Sequence, residues 1–328
     1  MKKVLFATSA LVLSAGFASA EVAVSGDGRM GMIYDGNDVQ FSSRARVKFT
    51  LTGESDSGLS FGGAFRVDQE NYNANHERSA ARGTGGEVWV SGTYGKLSMG
   101  DVVSASEAAI GDLYEVGYTE GSFAGDVEEI NYLTADGNDL DQGPNALYEY
   151  TINQISIYAS MSDGSATDWY TTVGSGAEVD TAYALAAKYD AGNFWASLGY
   201  AKRGDSSEIS LGGEGKFNNF SVKGVYVKYN DAYTDAPLNG NQDDFVNTNE
   251  VKDTIGLGLS YQMDAILVKG FYRKDKYEDV VTGDSTNYDS FGIGADYDLG
   301  GGAVLAGGIV DTDYLDDTVV DMGVKFKF

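Results

Sequence analysis

Apolar and polar residues alternate along this chain in runs too long for an ordinary strand. In 22–34, Val22, Val24, Met30, Met32 and Tyr34 share one parity, opposite Ala23, Ser25, Asp27, Arg29 and Ile33. In 39–53, Val39, Phe41, Ala45, Val47, Phe49 and Leu51 alternate with Gln40, Ser42, Arg44, Arg46, Lys48, Thr50 and Thr52. In 59–70, Leu59, Phe61, Phe65 and Val67 alternate with Ser60, Arg66, Asp68 and Glu70. Period two means a strand whose faces meet different environments. These runs exceed the roughly 5–6 residues of a globular strand and match the ~9–11 tilted residues that cross a bilayer.

Further runs follow at 86–94, 96–101, 146–152, 155–162, 179–189, 193–203, 207–217, 219–229, 250–262, 265–277, 286–298, 302–311 and 318–328, making sixteen in all. An even number lets a bacterial barrel close with both termini on one side. The connections alternate in length: Asp56-Ser57-Gly58, Gly95, Asn153-Gln154, Ala191-Gly192, Asn218-Asn219, Gln262-Met263-Asp264 and Gly300-Gly301 are tight. Between them lie longer stretches near 71–85, 102–145, 163–178, 230–249 and 278–285. Short turns on one rim and long loops on the other are the two sides of an outer-membrane barrel. The last run ends on an aromatic, Phe328, and reads as a closing strand paired with the first.

Other features narrow the class. Residues 1–20 form a secretory signal, with Lys2 and Lys3 before an apolar stretch and Ala18-Ser19-Ala20 at the cleavage site. The barrel is expected to occupy 21–328. After residue 20 no apolar run approaches the ~20 residues of a spanning helix. With no cysteine there is no disulfide framework or thiolate site. Only 2 prolines against 44 glycines and 22 tyrosines suit paired strands with interfacial aromatics. A net charge of −26, which becomes −28 once Lys2 and Lys3 are removed, argues against nucleic acid.

Particular segments resemble the general porins of the Rhodobacter type. They are Gly26-Asp27-Gly28-Arg29-Met30-Gly31, Phe41-Ser42-Ser43-Arg44-Ala45-Arg46-Val47 and Gly100-Asp101, then Ala105-Ser106-Glu107-Ala108 and 111–119. The ending Gly323-Val324-Lys325-Phe326-Lys327-Phe328 agrees as well, while 163–285 is similar in pattern more than in residues. The resemblance implies an all-β, 16-stranded antiparallel transmembrane barrel in the bacterial outer membrane. It further implies a homotrimer among lipid and lipopolysaccharide, passing small hydrophilic solutes and ions by passive diffusion. The third outer loop of such a protein folds inward and narrows the pore; 102–145, after the fifth strand, takes that place, and Asn131-Tyr132-Leu133-Thr134 fits it.

Charge parity locates the candidate site. Arg29, Arg44, Arg46, Lys48 and Arg66 all fall on the polar parity of the first three strands. On the lipid face near the midplane such a residue costs roughly 2–4 kcal/mol, so these cations are expected in the lumen. The long loop supplies counter-charges: Glu107, Asp112, Glu115, Asp126, Glu128, Glu129, Asp136, Asp139 and Asp141. Basic wall and acidic loop would set a transverse field, with a weak cation preference from the negative total charge. The competing reading is that the arginines simply pair with nearby acids such as Asp27 and Asp68.

Catalysis finds no footing. His76, in a polar loop, is the sole histidine, so neither a Ser-His-Asp set nor a zinc site can be assembled. Gly292-Ile293-Gly294 and 300–302 have no following helix to receive a phosphate and read as strand and turn glycines. No cofactor is required. Asp311, Asp313, Asp316 and Asp317 could bind Ca²⁺, which the resemblance allows; a solvated acidic rim is the simpler reading. Trp89 and Trp195 sit opposite Val88, Val90, Phe194 and Leu198, so they fit lumen and interface positions equally. Alternatives are a substrate-selective channel on the same barrel, which wants a lumen aromatic series, and a barrel enzyme, which wants an activated nucleophile. A secreted β-sandwich wants shorter strands.

Overall fold

The computed structural model describes residues 21–71, 77–78, 83–134, 146–162, 181–233 and 249–328. The signal segment, His76, Trp169, Asp136, Asp139 and Asp141 lie outside the described residues. Sixteen antiparallel strands close on themselves. They are β1 (Glu21–Tyr34), β2 (Val39–Glu54), β3 (Ser60–Asn71), β4 (Gly83–Gly92), β5 (Gly95–Gly100), β6 (Ala146–Ile152), β7 (Ile155–Ser162) and β8 (Ala182–Asp190). The second half is β9 (Phe194–Arg203), β10 (Ser206–Phe217), β11 (Phe220–Tyr233), β12 (Asn249–Met263), β13 (Ile266–Asp279), β14 (Ser285–Gly300), β15 (Ala303–Thr312) and β16 (Val319–Lys327). Each overlaps one run expected from alternation. A two-residue strand, Glu77–Arg78, extends the end of β3.

Every strand pairs with its sequence neighbour, and β1 pairs with both β2 and β16. This leaves no sheet edge, the condition for a sheet in lipid. The seam is closed tightly: Gly26 N–H donates to Phe328 O at 2.7 Å and Phe328 N–H returns to Gly26 O at 2.9 Å. Glycine at 26 and 28 leaves room for the stacked rings of Phe328 and Phe326, which occupy the space a Cβ would take. The tight turns place Asn153, Asn218 and Asp264 at positive φ, near 50°, a conformation Asn and Asp tolerate better than most residues.

One parity of each strand carries exposed apolar residues, among them Val24, Met30, Phe41, Phe65, Leu198, Ile255, Phe291 and Met322. The buried apolar core is elsewhere. It forms between the segment after β5 and the opposite parity of the strands, joining Ala109, Ile110, Leu113, Val116, Val127, Ile130 and Leu133 to Ala184, Ala201, Val225, Val227, Phe271 and Val310. That segment contains structure the alternation did not foretell: a short helix, α1 (Ala105–Ile110), and a 3-10 turn at Ser122–Ala124. Ser104 caps α1 by accepting from Glu107 N–H at 3.2 Å.

Candidate functional site

The segment 102–134 runs along the non-apolar parity of the wall, and small strand residues make its path. A Cβ at Gly199 of β9 would meet Ser106, and one at Gly212 of β10 would meet Ile110. Leu113 and Tyr114 lie against Gly256 and Gly258 of β12, Val116 against Gly294 of β14, Gly117 against Gly308 of β15, and Tyr118 against Gly323 of β16. Residues 106–118 thus meet glycines of six strands in chain order. Glycine here supplies space for close backbone approach. Gly294, read from sequence as an ordinary strand glycine, is one of these contacts.

Polar anchors fix the path. Ser160 Oγ accepts Ala105 N–H at 2.9 Å, and Glu208 accepts Leu133 N–H at 2.5 Å. Tyr229 OH donates to Asn131 O at 2.5 Å, and Lys223 donates to Asp112 O. Arg273, almost fully buried, donates to Val127 O at 3.2 Å and to Glu129 O. Thr119 is gripped across the barrel seam. Asp321 of β16 accepts from its N–H and its hydroxyl, both at 2.8 Å, while Arg29 of β1 donates to its carbonyl.

The five sequence-nominated cations divide into two groups. Arg29 and Arg44 are buried and reach the segment: Arg29 Nη2 donates to Ser122 Oγ at 3.1 Å, and Arg44 Nη2 lies 3.3 Å from Glu120 Oε2 and 3.6 Å from Asp27 Oδ1. Arg46 and Arg66 both engage Asp68, at 3.1 and 2.7 Å. Lys48 is exposed and stands opposite Arg66 in the ladder. Pairing with Asp27 and Asp68, the simpler reading of these arginines, therefore coexists with contacts to the segment.

The acids divide as well. Glu115 and Glu129 are exposed, and Glu107 and Asp126 are half-buried. Asp112 is turned to a structural task, its Oδ1 accepting Ile130 N–H at 2.8 Å; burial pushes its carboxyl above the usual range. Glu128 is fully buried, and burial, with Asp126, Glu115 and Glu129 nearby, pushes it up to about 8. Glu120, which parity reasoning passed over, holds the central position. Its burial alone would raise its pKa, but Lys325, Arg44 and Arg29 together outweigh that and lower it.

Glu120 also links two halves of an ion-pair belt. From β3 and β2 the belt runs through Arg66, Asp68 and Arg46; Arg44 then meets Glu120, and Glu120 meets Lys325 of β16 at 3.7 Å. Lys325 lies 3.5 Å from Asp296 of β14, which Lys269 of β13 approaches at 3.1 Å. Lys269, Arg273, Asp321 and Lys325 were absent from the sequence-nominated set although they occupy the same parity; extending the charge-parity test to β13 and β16 would have found them. Among the described residues no three Asp, Glu or His side chains converge to hold a metal ion. In the Asp311–Asp317 group, Asp311 accepts from Thr318 Oγ1 at 2.5 Å and Asp313 from Asp289 N–H at 2.8 Å.

The sequence pattern of one family, described as Gram-negative porin, matches residues 7–317. The chain belongs to the Gram-negative porins. The porin of Rhodobacter capsulatus is 39% identical over 324 residues, spanning 94% of this chain and all of that protein. The porin of Fuscovulum blasticum is 28% identical over 320 residues with the same 94% of this chain and full coverage of its own. A porin structure refined at 1.8 Å superposes with a TM-score of 0.74 at 34% identity, again over 94% of this chain and the whole of the other. As a porin, the protein is a non-catalytic outer-membrane channel for passive diffusion. The closed barrel supplies the conduit, with its apolar parity outward to lipid and its charged parity lining the passage.

Proposed function

We propose that 102–134 folds into the porin lumen and forms the constriction, and that the ion-pair belt around it sorts solutes by charge and dipole. One observation carries this reading: Arg44 of β2 and Lys325 of β16 meet on Glu120, a residue of the segment itself. Arg46, Lys48 and Arg66 then form the basic side. Glu120, Glu115 and Glu129 form the acidic side; Glu107, Asp112, Asp126 and Glu128 serve mainly to seat the segment. Charges facing each other across a narrow passage give a transverse field that orients polar solutes and penalises apolar ones, which cannot replace the ordered water. The strongly negative chain adds a weak preference for cations at the mouths. We further propose a homotrimer, with part of the outward apolar band covered by neighbouring copies.

Planar-bilayer recordings of purified protein test both parts. The expected result is large conductance steps in groups of three, with a reversal potential in a salt gradient on the cation side. Anion preference would overturn the charge assignment, and independent single steps with a monomeric mass in detergent would overturn the trimer.

A further inference from the structure

Between the seated segment and the short-turn rim, one stretch of the inner wall gathers two aromatic rings, an acid and several lysines that passive conduction does not call for. Trp195 is the second residue of β9, just after the Ala191-Gly192 turn, and Glu214 of β10 stands opposite it. Glu214 is in turn opposite Lys223 of β11, and Lys188 of β8 is opposite Ser197, the next inward residue of β9. These strand residues share the inward parity of Gly199 and Gly212. Tyr114 of the segment reaches the same wall over Gly258, the ladder partner of Lys223.

Hydrogen bonding decides what this cluster can offer a solute. Glu214 holds both rings: its Oε1 accepts from Tyr114 OH at 2.9 Å and its Oε2 from Trp195 Nε1 at 3.0 Å. With the O–H and the N–H both spent, the half-buried rings present π surface to the lumen. Lys216 lies 3.9 Å from Glu214. Lys223, 5.6 Å from the indole centroid, donates to Asp112 O. Lys188 is placed differently. Its Nζ stands 4.1 Å from the Trp195 centroid, and among the described residues no carboxylate is within ion-pairing distance of it. Asp190, the next inward residue of its strand, accepts Gly192 N–H at 2.7 Å in the turn. The wall's other indole shows the contrast: Lys96 is 6.0 Å from the Trp89 centroid and pairs with Glu149 at 3.5 Å. An indole face attracts a cation without neutralising it. Lys188 therefore keeps its charge beside the two rings.

We propose that Trp195, Tyr114 and Lys188 form a dwell site for small aromatic carboxylates on the short-turn side of the seated segment. The solute's carboxylate pairs with the Lys188 ammonium, Lys216 and Lys223 add positive potential, and its ring lies against the indole and the phenol. Such a site gives organic anions a foothold in a chain whose total charge of −26 repels them. It rests on the seating of 111–118 along the wall and not on charge sorting at Glu120. The test is titration of sodium benzoate into the porin in planar bilayers, read as added current fluctuation, with benzamide and acetate as comparison probes. Benzoate should give a saturable response, and the other two should respond several-fold more weakly. Lys188→Gln should weaken the benzoate response about fivefold, and Lys188→Arg should restore it, whereas Lys96→Gln should leave it unchanged. Indole fluorescence of the detergent-solubilised protein should report the same half-saturation, and Trp195→Phe should remove that signal. Equal responses to benzoate and benzamide, or a loss in Lys188→Gln no larger than that in Lys96→Gln, overturns the proposal. If Lys188→Gln does not fold, the wild-type preference for benzoate over benzamide decides alone. Reversal potentials in plain salt report on the constriction, so the two readings fail separately.

Discussion

The two inner walls of the barrel are built on the same period-two strands and do opposite things. On β1–β3 the inward parity carries Arg29, Arg44, Arg46, Lys48 and Arg66, long cationic side chains that stand out from the wall. On β8–β16 it carries Ala182, Ala184, Ala186, Ser197, Gly199, Ser210, Gly212, Gly256, Gly294 and Gly308, which leave room for another stretch of backbone. The first wall holds mostly long cations, while the second sets vacant positions among charged anchors such as Glu208, Lys223, Arg273 and Asp321. A barrel lumen is divided by what the inward positions hold, with no change in the strand architecture.

The most damaging test of this division is to fill the vacant wall. A Cβ at Gly308 would lie 2.7 Å from Gly117 N, a backbone atom with no rotamer to yield. Gly308→Val should therefore unseat 115–119, with overpacking of about 1–3 kcal/mol, and should appear as a wider, noisier channel. A control on β3, Gly63→Val, lies on the outward parity with Phe61 and Phe65, meets Glu87 and Val88 of the adjoining strand first, and should leave conductance near wild type. Equal behaviour of the two variants would mean that Gly308 does not owe its smallness to the seated backbone. Next in size is Asp321→Ala. It removes two hydrogen bonds to Thr119, each worth about 1.5–3 kcal/mol because the acceptor is charged. Limited proteolysis within 115–125 should become faster in this variant, while the heat-resistance of the folded barrel on a gel should hold.

The barrel itself was readable from the sequence because lipid on one side and water on the other force period two on every strand. The sixteen strands and the closing pair of first and last strands follow from that single constraint, which also sends any strand cation to the inward parity. Seating of the segment was less readable. Gly212, Gly256, Gly294 and Gly308 look like any strand glycine until the chain they accommodate is known, and that chain is sequence-distant by as much as two hundred residues. Glu120 was missed for a related reason: an acid gains meaning only from its neighbours, and Arg44 and Lys325 come to it from opposite ends of the chain. By contrast, Lys269 and Lys325 were within reach of the parity argument and needed only its extension beyond the third strand.

The charged wall can be sharpened by selectivity. Removing Arg46 and Arg66 leaves Asp68 without its two partners and so turns a basic stretch acidic. Two unit charges about 8 Å apart in water interact by roughly 0.5 kcal/mol, a factor of about 2.4. Arg46→Ala with Arg66→Ala should thus raise the cation-to-anion permeability ratio several-fold. Glu120→Gln should lower the ratio by a smaller factor, since Arg44 and Lys325 lose a shared counter-charge. Reversal potentials at low salt measure both. A shift of the same sign in the two variants would mean that Glu120 and the arginines do not oppose each other across the passage.

The smallest effect expected is a pH dependence on the vacant wall. Glu128 is buried within the seated segment with its pKa raised to about 8, so the seated form favours the neutral acid. A released segment would return it toward 4.5, its ordinary value. Between those values the seated form binds more protons than the released one, so seating weakens as pH rises from about 4.5 to about 8 and is constant above that. Asp112, also raised by burial, acts with the same sign. Glu120, lowered, contributes only on the acid side of its ordinary value and drops out of the window. Open-channel noise should therefore grow from pH 6 to pH 9 in the wild type and grow less in Glu128→Gln, whose side chain stays neutral throughout. A dependence that persists undiminished in Glu128→Gln would move its origin away from the segment's buried acid.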